Sequence, residues 1–120
     1  MKEFKKQRQG RDSSIINILD YRIRKPSVLD GTYLITKDAL CKLTELAALQ
    51  WAPEMRVNAV SPGFVLPPKG MESSTMEKSL KKVPLAKPTD PLSIANACVF
   101  LSENDGITGQ TLYVDGGASI

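Results

Sequence analysis

Three side chains in this sequence could cooperate in moving a proton. Tyr33 and Lys37 stand four residues apart in a stretch of helical pattern, so their side chains fall one turn apart on one helix face. An ammonium beside a phenol favours the phenolate and lowers a pKa that is otherwise about 10. The positive end of a helix dipole acts in the same sense, so Tyr33 is expected to donate or accept a proton near neutral pH. Asp20 closes an apolar run thirteen residues before the tyrosine and brings a carboxylate to the same region. Taken alone, the Tyr33 and Lys37 spacing also fits a solvated helix face, and Asp20 a loop residue bonded to its own turn. No metal chemistry is expected, because the sequence has no His and its only cysteines are Cys41 and Cys98.

The elements that must position these residues read as strand, helix, strand. Residues 14–19 form a short, nearly continuous apolar and β-branched run, suited to a strand covered on both faces. Residues 21–32, with Pro26, Asp30 and Gly31, have no sustained period and read as a loop. Residues 33–52 place Leu40, Leu43 and Ala47 on one stripe widened by Leu46 and Leu49, a helix of about five turns stopped at Pro53. Residues 56–61 are a second strand, closed by Pro62 and Gly63. That order favours a right-handed crossover between parallel strands, with ligand-facing loops at the carboxyl ends of the strands. Residues 65–82 hold Pro67, Pro68, Gly70, Ser73 and Ser74, and are expected to form a mobile, lid-like flap with a short helix near 76–82. Thr89 or Asp90 can cap a further helix begun at Pro91, with Leu92, Ile94, Ala95, Cys98, Val99 and Leu101 as its buried face. Residues 111–114 make a third strand, ended by Asp115, Gly116 and Gly117, and residues 1–9 read as the tail of a helix stopped by Gly10.

At 120 residues, 42% hydrophobic and 24% charged, the chain has one globular domain's worth of core, which excludes a disordered tail, a collagen-like rod and a coiled coil. No apolar run approaches the roughly 20 residues of a membrane helix. The basic start is not followed by an apolar signal core, so we place the chain in the cytosol, without a membrane partner. There Cys41 and Cys98, both inside apolar helical patterns, read as reduced thiols rather than a disulfide or metal pair. Residues 1–25 hold eight Lys or Arg against three acids, a local charge of +5, and the remainder carries −2. A basic arm of this kind could bind nucleic acid. Without interleaved aromatics to stack bases, it reads instead as a solvated helix end and a loop that meets a phosphate-bearing ligand, so no nucleic-acid partner is expected.

Taken in order, Ile15-Ile16-Asn17-Ile18, Tyr33-x-x-x-Lys37, the run from Arg56 through Val57, Asn58, Ala59, Val60, Ser61 and Pro62 to Gly63, then Ile107-Thr108-Gly109-Gln110 and Val114-Asp115-Gly116-Gly117, follow the pattern of the short-chain dehydrogenases/reductases. The chain resembles that family from Ser14 to its end. The resemblance implies an α/β fold: the carboxyl-terminal half of a doubly wound, Rossmann-type parallel sheet, with three parallel strands and flanking helices in one partial domain, 1–120. It implies NADP(H) as cofactor, with Tyr33 passing the proton and Lys37 hydrogen-bonding the nicotinamide ribose while lowering the Tyr33 pKa. Pro62, Gly63 and Val65 match the loop whose backbone meets the nicotinamide carboxamide. Most family members carry Ser at the place of Asp20. The pteridine reductases and related dihydromonapterin reductases carry Asp there, and residues 82–85 are also similar to theirs. This implies NADPH-dependent hydride transfer to a pterin-like small molecule, with Asp20 relaying a proton to a ring nitrogen.

A whole member of that family is longer, with the balance upstream. The eight glycines here form neither Gly-x-Gly-x-x-Gly nor Gly-x-x-x-Gly-x-Gly, so the turn that holds a pyrophosphate at a helix N-terminus has no counterpart. The family's Asn-Asn-Ala-Gly strand end and its catalytic Asn are absent too, and residues 1–9 match only the last turns of the helix that carries that Asn. Strand 14–19 is then expected to lack one neighbour, an edge that invites pairing beside bare apolar surface. The expected partners are a second copy or a missing amino-terminal half. Two functions stay open: the catalytic half of a reductase, or a truncated remnant or interaction module that binds no dinucleotide. The isolated chain is expected to be inactive.

Overall fold

The apolar run that begins after Asp12 becomes the first strand of a small parallel sheet. In the computed structural model, which describes residues 13–66, 70 and 72–120, the elements are β1 (Ser13–Ile18), α1 (Gly31–Trp51), β2 (Met55–Pro62), α2 (Ser73–Leu80), α3 (Pro91–Glu103) and β3 (Thr111–Val114). Two short 3-10 turns, Tyr21–Ile23 and Val28–Asp30, shape the expected loop between β1 and α1. The strands fall within a residue or two of the expected ranges, and the short flap helix lies a few residues earlier than its expected 76–82. The expected helix tail at residues 1–9, and the Pro67 and Pro68 part of the flap, lie outside the described residues.

Both strand pairs are parallel and the order is β1-β2-β3, with Ile15 opposite Val57 and Val60 opposite Leu112. Successive strand residues point to opposite faces, and the two cores follow that alternation. Val57 packs with Ala47 and Ala48 of α1, joined by Ile15 and Trp51. Val60 packs with Ala97 and Leu101 of α3, joined by Ile16, Ile94, Cys98 and Ile107. Helices therefore cover both faces, the parallel strands with flanking helices expected. Because both connections step the same way across the sheet while α1 and α3 cover opposite faces, the two crossovers have opposite hands. One of them runs against the strong preference for right-handed connections.

Two helix faces differ from the sequence expectation. In α1 the wide leucine stripe points away from the sheet: Leu43, Leu46 and Leu49 are exposed, Leu49 at 80%, while Leu34, Thr44, Ala47 and Ala48 are buried. Small residues win the inner face because the helix lies close to the sheet. Thr44 also accepts from Asn17 Nδ2 on β1 at 2.9 Å while donating to Leu40 O at 2.8 Å. In α3, Leu92, Ala95 and Val99 are exposed, and the sheet-facing stripe is Ile94, Ala97, Cys98 and Leu101, an i, i+3, i+4, i+7 set. Of the two caps considered for α3, Asp90 is the one used, its Oδ1 accepting from Leu92 N at 2.8 Å with Pro91 in the first turn.

Two polar side chains of β2 hold the far crossover in place. Buried Asn58 donates to Ile107 O at 2.8 Å and accepts from Gln110 N at 3.0 Å. Arg56, also buried, donates to Leu101 O and Ser102 O, both at 2.8 Å, setting a cation against the carboxyl end of α3 where the helix dipole favours one. Cys41 and Cys98 are unpaired and partly buried. Among the described residues no helix is long and apolar enough to cross a membrane, and no group of His, Cys, Asp or Glu could hold a metal ion.

Candidate functional site

The site is built on the carboxyl end of β1. Leu19 N continues the ladder by donating to Val60 O at 2.8 Å, and Asp20 follows in extended conformation as the N-cap of the turn Tyr21–Ile23. Its Oδ1 accepts from Arg22 N at 2.9 Å, so the local turn bond considered from sequence is present. That bond occupies one oxygen only. Oδ2 faces the first turn of α1 and accepts from the Tyr33 hydroxyl at 3.3 Å. Lys37, one turn further along α1, donates from Nζ to Ile18 O at 2.8 Å, and Nζ lies 5.7 Å from the centroid of the Tyr33 ring. The three residues singled out from spacing therefore converge at one strand end.

Arg22 joins them, and sequence reading had counted it only as part of a basic arm. Its guanidinium grips Asp20 through Nε to Oδ1 at 3.0 Å and Nη2 to Oδ2 at 2.9 Å. Nη1 is bonded to Asp30, the N-cap of α1. The same group lies 5.4 Å from the Tyr33 ring centroid. A usable signal was present in the sequence: Arg two residues after Asp can fork back onto that carboxylate across a single turn. The neighbouring cations, both exposed, also have partners within the chain: Arg24 stacks 3.8 Å from the Tyr113 ring centroid and Lys25 is bonded to Ile120 O at 3.3 Å.

These contacts set the titration of the pair. Burial pushes the Asp20 carboxyl up, but the hydrogen bonds and charge of Arg22, with the Tyr33 hydroxyl, outweigh it and hold the group below the usual carboxylate value. Tyr33 is displaced upward by partial burial, then by the charge and hydrogen bond of Asp20, with Arg22 acting against them. This reverses the expectation that Lys37 would bring the Tyr33 pKa down. The reasons are burial of the ring and placement: the carboxylate sits at the hydroxyl, whereas the ammonium is engaged with Ile18 O. Tyr33 is 43% exposed.

Pro62 ends β2 at the same edge of the sheet, and Gly63 N donates to Val114 O at 3.0 Å. A Cβ on Gly63 would lie 2.7 Å from Asp115 Cα, so the glycine is demanded by the close approach of β3. Phe64 stacks obliquely on Tyr21 at 5.3 Å, which lays the segment carrying Gly63 and Val65 beside the Asp20 turn. No hydrogen bond joins Pro62, Gly63 or Val65 to Asp20, Tyr33 or Lys37 among the described residues.

Residues 1–119 match the family described as enoyl-(acyl carrier protein) reductase. The chain belongs to the short-chain dehydrogenases/reductases. Among curated members of that family, it is 35% identical over 118 residues to pteridine reductase 1 of Leishmania tarentolae, covering 95% of this chain and 41% of the relative. It is 38% identical over 105 residues to a glucose 1-dehydrogenase of Gluconobacter oxydans, covering 82% of this chain and 39% of that one. The crystal structure of the FolM alternative dihydrofolate reductase 1 from Brucella canis, complexed with NADP, superposes with a TM-score of 0.87 at 30% identity, over 96% of this chain and 46% of the other. The chain thus spans less than half the length of these family members.

Proposed function

We propose that this chain carries the proton-transfer half of an NADPH-dependent reductase acting on a pterin-like small molecule. The observation that carries the reading is the Tyr33 hydroxyl bonded to Asp20 Oδ2 at 3.3 Å, with Lys37 one helical turn away. Reducing a carbon–nitrogen double bond requires a hydride at carbon, which a reduced nicotinamide supplies when bound, and a proton at nitrogen. Asp20, held ionised by Arg22, is a poor acid, so the proton starts on Tyr33, and Asp20 orients the hydroxyl and relays its replacement from solvent. Lys37 uses one of its three donors on Ile18 O and leaves two for ribose hydroxyls. Pro62, Gly63 and Val65 line the neighbouring strand end where a carboxamide would meet backbone. The pterin assignment draws on the carboxylate at Asp20 and on relatives such as pteridine reductase 1 and the FolM protein.

A second reading is favoured by one feature: these 120 residues contain no glycine-rich fingerprint to hold a pyrophosphate. On that reading the chain is a remnant or interaction module that binds no dinucleotide. Either way β1 has no strand on its outer edge among the described residues, so the partner we propose is a second copy or an amino-terminal half that completes the sheet. Titrating NADPH into the purified chain while following nicotinamide fluorescence separates the readings. Saturable binding overturns the remnant reading; a titration that stays flat even when an amino-terminal half is supplied overturns the reductase half. Where a dihydropterin is turned over, Tyr33→Phe is expected to abolish reduction; unchanged turnover would remove Tyr33 from the mechanism.

A further inference from the structure

The two carboxylates and two cations around Tyr33 are arranged with a division of labour that neither composition nor spacing suggests. Asp20 Oδ2 takes two bonds at once, from Arg22 Nη2 at 2.9 Å and from the Tyr33 hydroxyl at 3.3 Å. Oδ1 takes two more from Arg22, from Nε and from the backbone amide. With Nη1 bonded to Asp30, the guanidinium ties the turn after β1 to the start of α1, the helix that carries the phenol. Only a planar fork with donors on several sides can hold two carboxylates this way; an ammonium has the charge without the geometry. Arg22 is itself shielded, with 30% of its side chain exposed, and Asp20 more so at 15%.

We infer that Arg22 is a positioning residue for the proton-transfer pair: it aims Asp20 Oδ2 at the Tyr33 hydroxyl and is the second cation, beside Lys37, that offsets the carboxylate's opposition to the phenolate. The charged groups facing the phenol are Asp20 and Arg22 from the turn after β1 and Lys37 from α1, with Asp30 bonded to Arg22. Together they sum to zero. Without Arg22 the set is net negative, and the phenol holds its proton more tightly. A reductase needs Tyr33 to release that proton and recover it, so Arg22 keeps the exchange within reach of working pH. This inference rests on the proton-transfer role proposed for Tyr33, but its test needs no turnover.

The test follows the Tyr33 ring carbon bearing the hydroxyl by NMR in tyrosine-labelled protein across alkaline pH, with Tyr33→Phe to assign the resonance among the three tyrosines. A unit charge removed at 5.4 Å from the ring in a water-like medium is worth about half a pH unit. Gln keeps the backbone amide and a side-chain amide that can donate to Asp20 and hold it at the hydroxyl, so Arg22→Gln removes the charge and is expected to raise the Tyr33 pKa by about that amount, with Arg22→Lys restoring most of it. A Tyr33 titration that is unmoved or lowered in Arg22→Gln overturns the inference. If circular dichroism shows Arg22→Gln unfolded, the wild-type Arg22 Cζ carbon resonance, which needs no exchangeable proton, decides. A chemical shift that follows both the acid titration of Asp20 and the alkaline titration of Tyr33 supports the assignment, and a flat profile overturns it. A chain that binds no nicotinamide even with an amino-terminal half supplied would defeat the proposed function while leaving this titration intact.

Discussion

Replacing Asp20 by Asn tests the electrostatics of the site most directly, because it removes a charge while keeping an oxygen that can accept from Arg22 N. Asp20 Oδ2 lies 3.3 Å from the Tyr33 hydroxyl. A charge pair at that distance in a water-like medium is worth about 1.3 kcal/mol, or about one pH unit in the pKa of the phenol. The water-like limit is the appropriate one, since Tyr33 is 43% exposed and solvent screens the pair. Arg22, relieved of its partner, pulls in the same direction. Burial of the ring is unchanged. Asp20→Asn is therefore expected to lower the Tyr33 pKa by about one unit, read by alkaline ultraviolet titration with Tyr33→Phe as the difference control. The same variant has an acid signature. The Asp20 pKa lies below its ordinary 3.8 in the folded chain, so its contribution to stability is present above that ordinary value and disappears as pH falls through the lower folded one. Denaturant melts of the Asn variant should show a shallower loss of stability in that acid window. A Tyr33 titration that stays put or moves upward would refute the claim that Asp20, and not Lys37, governs the phenol.

Three further outcomes follow from the packing. Asn58→Ala removes a fully buried amide and leaves the Gln110 N–H without its 3.0 Å acceptor, and should destabilise the chain by about 2 kcal/mol in urea melts; a loss near zero would mean water replaces the side chain. Gly63→Ala forces a Cβ to within 2.7 Å of Asp115 Cα and should cost about 1–3 kcal/mol through strand separation, whereas Gly31→Ala, which meets nothing within 4 Å, should stabilise the start of α1 by about 0.5–1 kcal/mol. If both glycines respond alike in thermal melts, the close approach at Gly63 is not what demands glycine. Tyr21, Tyr33 and Tyr113 all titrate above their ordinary 10.0, burial being the first cause in each. Stability should thus hold below about pH 10 and fall as pH rises through the folded values, because the folded state keeps protons that the unfolded state releases; an alkaline plateau in the melts contradicts this.

Much of the architecture was legible because local rules sufficed. A β-branched run at residues 14–19 has no polar face to give water, so it needs cover on both sides and becomes β1 between α1 and α3. Pro91 after Asp90 can hardly do other than begin a helix. Four-residue spacing put Tyr33 and Lys37 on one face whatever lay around them. The inner face of α1 was not legible, since leucines ring the helix and only the closeness of the sheet selects Ala47, Ala48 and Thr44. Nor were Asn58 and Arg56, whose partners Ile107, Gln110, Leu101 and Ser102 are remote in sequence.

By itself, then, the order of residues determined the strands, the helices, the family and the shared helix face of Tyr33 and Lys37, because each depends on local spacing or on contiguous pattern. Only the tertiary structure decided the sign of the Tyr33 titration. Spacing along a helix says which side chains are neighbours, but not whether an ammonium or a carboxylate reaches the hydroxyl. The sign was settled by the partial burial of the Tyr33 ring and then by where the Asp20 turn, gripped by Arg22, comes to rest against the first turn of α1.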